Sequence, residues 1–291
     1  MGQDFILMFD SNSELPLEIQ EKYQAPFVRM PYVLGDQEYT YDLGKNTDFK
    51  AFYAAERSGA MPKTMMLPPQ HYEDFWRPYL EAGQDILFVM FSSGLSGAYD
   101  CATMARESIL KEFPQRTIKL VDTLSISVGC GLLVYGALQK KEAGASMEEI
   151  EKWVLENRMR VNHIFSVDDL NFLRRGGRVS SATAVVGTLL DVKPVLMVDR
   201  QGKLVNTGKI KGRKKVIRYL ADQVVERMTE PEKNILVILH ADQEEAAKQL
   251  EQLVLEKCQP KEVWLRYVGP VIGTHAGPGT LAVVFMGKER V

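Results

Sequence analysis

Eight short apolar runs alternating with amphipathic stretches limit this chain more than any other feature. FILMF (5–9), DILFVMF (85–91), IKLVD (118–122), HIFSV (163–167), VKPVLMV (192–198), NILVILH (234–240), EVWLRYV (262–268) and LAVVFMG (281–287) have strand length and composition. Most are apolar at successive positions, as strands covered on both faces must be. Helical spacing of apolar residues marks 47–57, 69–80, 96–113, 125–143, 146–158, 213–228 and 243–257. Strands and helices in this rhythm predict an α/β fold with mainly parallel sheets. With 291 residues, 45% of them hydrophobic, the chain is long enough for two domains. The charged stretch EEIEKWVLENRMR before HIFSV puts their boundary near 160, giving units 1–160 and 161–291. Ligands in open α/β sheets bind beyond the carboxyl ends of strands, so the loops leaving those ends are the places to look for chemistry.

Charge and motifs remove several classes. A formal net charge of −2 leaves no whole-chain basic footprint for nucleic acid. The apolar run near the N-terminus is too short for a signal peptide and no run approaches 18 residues, so no membrane insertion and a cytoplasmic location are expected. Cys101, Cys130 and Cys258 are scattered without a CxxC pair, which fits reduced thiols and no metal centre. GxGxxG after a strand, GxxxxGK[ST], HExxH and GxSxG are all missing.

Four loops remain. DSNS (10–13) leaves the first strand, with Asp10, Ser11 or Ser13 placed to cap a helix beginning near Leu15. SSGLSGAY (92–99) crowds Ser92, Ser93 and Ser96 around Gly94 and Gly97 at the start of a helix, where free N–H groups suit a carboxylate or phosphate. The same residues also serve an empty, serine-capped helix. VDTLSIS (121–127) opens another helix, again with capping as an alternative. GPVIGTHAGPG (269–279) sets His275 among four glycines, a loop with a special backbone path that presents the imidazole to a ligand. His71, His163 and His240 read as structural.

Taken together, DSNS, PKT (62–64), SSGLSGAY, VDT, LRRGGRVS (173–180), KPVL (193–196) and GPVIGTHAGPG resemble, in order and over nearly the whole chain, the motifs of the DegV family. The resemblance implies two α/β domains enclosing one long-chain fatty acid of the C16–C18 class, its carboxylate at the domain junction and its chain in an apolar tunnel. It implies a noncatalytic protein without a cofactor or metal, which presents the carboxylate to a separate ATP-dependent fatty acid kinase for acyl phosphate formation. Carried onto this chain, it assigns the carboxylate to Thr64, Ser93, Gly94, Ser96 and His275. Tunnel positions are Met65, Met66, Val185 and Leu189, with Val186 and Leu190 on the same stretch. Arg178 matches the arginine of the family's G-G-R motif and, with Arg175, is assigned to the kinase-facing rim.

The family commonly reads T-S-Q-P-S where this chain reads Thr64-Met65-Met66-Leu67-Pro68. The threonine stays, and flexible thioethers replace a polar run, which reshapes the pocket. The basic run GKIKGRKK (208–215) interleaves no aromatics, which weakens a single-strand nucleic-acid reading. A second reading is a Ser/His hydrolase or acyltransferase that uses Ser93 or Ser96 with His275.

Overall fold

The computed structural model describes residues 4–180 and 191–290; Val185, Val186, Leu189 and Leu190 lie outside them. The first sheet holds strands β1 (Phe5–Asp10), β2 (Phe27–Val28), β6 (Asp85–Met90) and β7 (Ile118–Asp122) in the order β2-β1-β6-β7, all parallel. A small antiparallel sheet, β4-β3-β5, is built from β3 (Pro31–Leu34), β4 (Gln37–Thr40) and β5 (Lys63–Thr64). The largest has order β10-β9-β8-β13-β11-β12, from β8 (Val161–Ser166), β9 (Val192–Val198), β10 (Leu204–Lys211), β11 (Ile235–His240), β12 (Glu262–Tyr267) and β13 (Leu281–Met286).

Helices α1 (Leu17–Tyr23), α2 (Phe49–Arg57), α3 (Pro69–Glu81), α4 (Ala98–Ile109), α5 (Ser127–Glu142), α6 (Met147–Asn157) and α7 (Asn171–Arg175) precede β9. Later come α8 (Arg213–Arg227), α9 (Glu244–Leu255) and α10 (Pro270–Ala276). α3 and α4 cover one face of the parallel sheet, and α5 packs against β6 on one side and β8 and β13 on the other. A helix between two sheets must be apolar all round. Nearly every residue of α5 from Ser127 to Leu138 is buried accordingly. Its glycines permit the close fit: a side chain at Gly131 would meet the Ser13 carbonyl, and one at Gly136 would overlap the Trp153 ring of α6. One continuous core runs from Phe5 through α5 to Val284, while a second lies under α8 and α9 on the far face of the six-stranded sheet.

The α/β class holds, and each anticipated strand and helix is present. Parallel pairing holds for the first sheet only. In the second, β11–β12 is the parallel pair and the other four are antiparallel. The reason is connection length: β9 returns as β10 through a short turn closed by Asp199 N–H to the Lys203 carbonyl, and the last strand, β13, inserts between β8 and β11. β10 escapes the apolar-run criterion because it is a largely exposed edge strand. The glycine-rich segment around His275 contains a short helix, α10, before the chain turns through Gly277 and Gly279 at φ of 76° and 87°. No helix among the described residues is long and apolar enough to cross a membrane.

Candidate functional site

A cavity of about 230 Å3 lies between the parallel sheet's loops, α10 and the inner face of the six-stranded sheet. Its wall is mostly apolar, with Phe91, Phe165, Leu173, Val271, Ala282 and Val284 among the contributors. Polar groups gather at one end. Thr64, on the short strand β5 beside Tyr32 of β3, shares a 2.9 Å hydrogen bond between its Oγ1 and Nε2 of His275. The imidazole reaches it from the last turn of α10. Its other nitrogen, Nδ1, faces Gly176 so closely that any Cβ there would overlap it, and finds no hydrogen-bond partner. With Nδ1 shut away, the tautomer that leaves something for a ligand has His275 Nε2–H donating to Thr64 Oγ1 and frees the Thr64 hydroxyl proton. Burial, and then the Arg178 charge, push the His275 pKa down to about 4, so the ring is neutral at physiological pH.

Ser96 and Arg178 complete this end. Ser96 Oγ accepts the Ala98 N–H at 3.2 Å, capping the turn into α4 while lining the cavity. Arg178 Nε donates to the Leu95 carbonyl at 3.2 Å and its Nη1 to the Gly176 carbonyl, so the guanidinium ties the SSGLSG loop to the end of α7. Arg178 therefore stands in the cavity wall, where the sequence reading had it on a rim outside the tunnel. Arg175 is exposed, its guanidinium 4.5 Å over the Phe172 ring.

Other expected positions divide. Met65 and Met66 line the cavity but are 37% and 59% exposed, which makes them its mouth; Met66 lies over Gly97, where an added Cβ would sit 2.8 Å from its Sδ. Ser93 and Gly94 are outside the lining. Ser93 Oγ donates to Asp122 Oδ2 at 2.5 Å, and Gly94 is pressed against the Gln201 and Gly202 carbonyls. Asp10 caps the short turn Ser11–Ser13, accepting the Asn12 N–H at 2.9 Å, and not the helix expected near Leu15; α1 begins at Leu17 after Pro16 without a side-chain cap. Among the described hydrogen bonds, no serine is paired with His275, and no group of three or more metal-ligating side chains gathers among the described residues.

Asn12, Ile126, Ser127 and His163 also line the cavity, and the sequence reading assigned none of them to it. DSNS and VDTLSIS stood among the four candidate loops with capping as one reading, and His163 was read as structural. Their shared signal is faint: Ile126 and Ser127 open α5, Asn12 lies in the turn after β1 and His163 inside β8, so only the packing around α5 places them on one cavity.

A family model described as "Uncharacterised protein, DegV family" matches residues 4–288. A DegV domain-containing protein of Clostridium perfringens is 38% identical over 286 residues, covering 98% of each chain. Among solved structures, the fold is similar to a DegV family protein of Thermus thermophilus described for its fatty acid binding. The TM-score is 0.86 at 29% identity, with 98% of this chain and 100% of that one covered. A fatty acid binding DegV family protein of Streptococcus agalactiae gives a TM-score of 0.85 at 27% identity, covering 99% of this chain and 100% of that one.

Proposed function

The chain belongs to the DegV family, and we propose that it binds one long-chain fatty acid in the central cavity and presents the carboxylate to a separate ATP-dependent kinase. The observation that carries this reading is the layout of the cavity: a hydroxyl, a capping serine and an arginine gathered at its open end, beside a mostly apolar wall. The carboxylate belongs beside Thr64, Ser96 and Arg178, with His275 holding Thr64 in donor orientation. Hydrogen bonds to a charged acceptor contribute about 1.5–3 kcal/mol each. The chain lies along the apolar wall, where each buried methylene contributes about 0.8 kcal/mol.

Presentation is supported by where the two ends lie. Thr64 and Ser96 are partly exposed beside the open Met65–Met66 mouth, whereas Asn12 and His163 at the other end are buried. A carboxylate oxygen at the mouth is free to attack the γ-phosphorus of ATP on a partner enzyme, forming the acyl–phosphate bond as the bond to ADP breaks. With its pKa at about 4, His275 is a weak general base at physiological pH, which favours binding over ester hydrolysis.

Native mass spectrometry of freshly purified protein, before and after organic extraction, tests the first half. Release of an intact C16–C18 acid is expected; a covalent acyl-serine would instead support the hydrolase reading. Thr64→Ala combined with Ser96→Ala should weaken binding of a fluorescent fatty acid at least tenfold, and unchanged affinity in the folded double variant removes the proposed head-group site. Acyl phosphate should form only when protein, ATP and a cognate kinase are all present.

A further inference from the structure

The closed end of the cavity is not apolar. Thr280, Ala282 and Val284 follow one another along one face of the chain at β13, and Phe165 and His163 of β8 lie opposite Ala282 and Val284. Thr280 is anchored beside His275 by its hydroxyl bond to the Ala276 carbonyl at 3.0 Å. Four residues of strand separate it from Val284, about 13 Å, the span of roughly ten extended carbons. At that distance the wall turns polar, with His163, Asn12 and Ser127 all in the lining.

These three side chains are held there by α5. Ile126 N–H donates to His163 Nε2 at 3.3 Å, and the ring lies so tightly on Gly129 that a Cβ would overlap Nε2. The turn carrying Asn12 abuts the same end of α5 through Ser13 and Gly131. His163 and Asn12 are only 2% and 5% exposed, yet Asn12 Oδ1 has no hydrogen-bond partner and His163 Nδ1 has at most a weak approach to the Val161 backbone. Since Nε2 accepts from Ile126, Nδ1 carries the proton and is a donor. Asn12 Oδ1 is an acceptor.

A methylene chain satisfies neither group, and a buried polar atom left unpaired is costly. A second carboxylate finds fewer donors there, because Glu14 already takes up the Ser127 hydroxyl and the Gly269 N–H. Arg290, the nearest cation to His163, is itself occupied by the Leu124 and Arg158 carbonyls. A neutral hydroxyl meets both needs at once, accepting from His163 and donating to Asn12.

We infer that the closed end reads a hydroxyl group, and that the acid this protein takes best is a long-chain fatty acid hydroxylated about ten carbons from its carboxylate. This rests on the fatty-acid reading above and specifies its ligand class.

The test is competition of stearic, 2-hydroxystearic and 10-hydroxystearic acids against a fluorescent fatty acid, on the wild type, Asn12→Leu and His163→Phe. The 10-hydroxy acid is expected to bind wild type at least tenfold more tightly than stearic acid, with no comparable gain for the 2-hydroxy acid. Either variant should abolish that preference, and two separate substitutions guard against one failing to fold. If stearic acid binds wild type as well as or better than the 10-hydroxy acid, the hydroxyl subsite is refuted and fatty-acid binding stands. If none of the acids binds, both readings fall together.

Discussion

Gly176 is the residue at which the proposed site is most sharply tested. Its φ of −72° is ordinary, so alanine brings no backbone strain, but the new methyl would occupy the space of His275 Nδ1. Gly176→Ala should therefore displace the imidazole from Thr64 and weaken fatty-acid binding at least tenfold while the thermal midpoint stays nearly constant. Equal affinity in the variant would mean that His275 does not hold Thr64 for the ligand. Arg178→Ala removes both the cavity cation and the link between Leu95 and Gly176, and is expected to lower binding as well as phosphoryl transfer. An arginine serving the partner alone would leave equilibrium binding intact. That GTHAGPG sets its histidine in the wall of a cavity agrees with what its glycines suggested. The role of Gly176 was not, because nothing local says that an imidazole about one hundred residues downstream will lie against it.

Among the elements, α5 decides the architecture. Its sequence SVGCGLLVYGALQKKE is apolar enough to be buried on all sides, and its glycines lie where neighbours press in. Gly136→Ala poses two opposing effects: alanine improves helix propensity by about 1 kcal/mol, whereas overpacking the Trp153 contact costs about 1–3 kcal/mol. The clash should win, giving a net loss of stability by urea unfolding with ligand affinity unchanged, since Gly136 is outside the cavity wall. A more stable Gly136→Ala protein would show that Trp153 moves aside without cost. Most helix and strand positions were readable here to within about two residues, because apolar periodicity reports burial directly; α4 ends at Ile109 where the pattern ran on to 113. Strand direction in the second sheet was not, since an apolar run looks the same from either neighbour.

For the molecule as a whole, buried titratable groups set an unusual pH response. Burial pushes the Glu14 carboxyl up to about 7 and that of Glu56, on α2 with both oxygens unpaired, up to about 8, from an ordinary 4.5. The folded protein holds these protons to higher pH than the unfolded chain, so their contribution is complete below pH 4.5 and is lost as pH rises through 7 and 8. His275, depressed from 6.5 to about 4, acts oppositely: its contribution is complete above 6.5 and is lost as pH falls toward 4. Stability should peak in mildly acidic solution. The urea midpoint should fall between about pH 6 and pH 8.5, and Glu56→Gln should flatten that decline. A wild-type midpoint that rises over this interval would contradict the buried, protonated carboxyls.

The sequence alone determined the α/β class, the positions of the long elements and, through seven ordered motifs, the family, because these depend on local periodicity and on residues close together in the chain. It also singled out Thr64, Ser96 and His275. Tertiary structure decided the rest: that Ser93 turns to Asp122, that Arg178 enters the cavity wall, and that Asn12 and His163 line the same cavity. Those outcomes rest on how two sheets close over one helix, and the geometry of that closure is carried by contacts between residues from tens to more than two hundred positions apart, which no local pattern encodes.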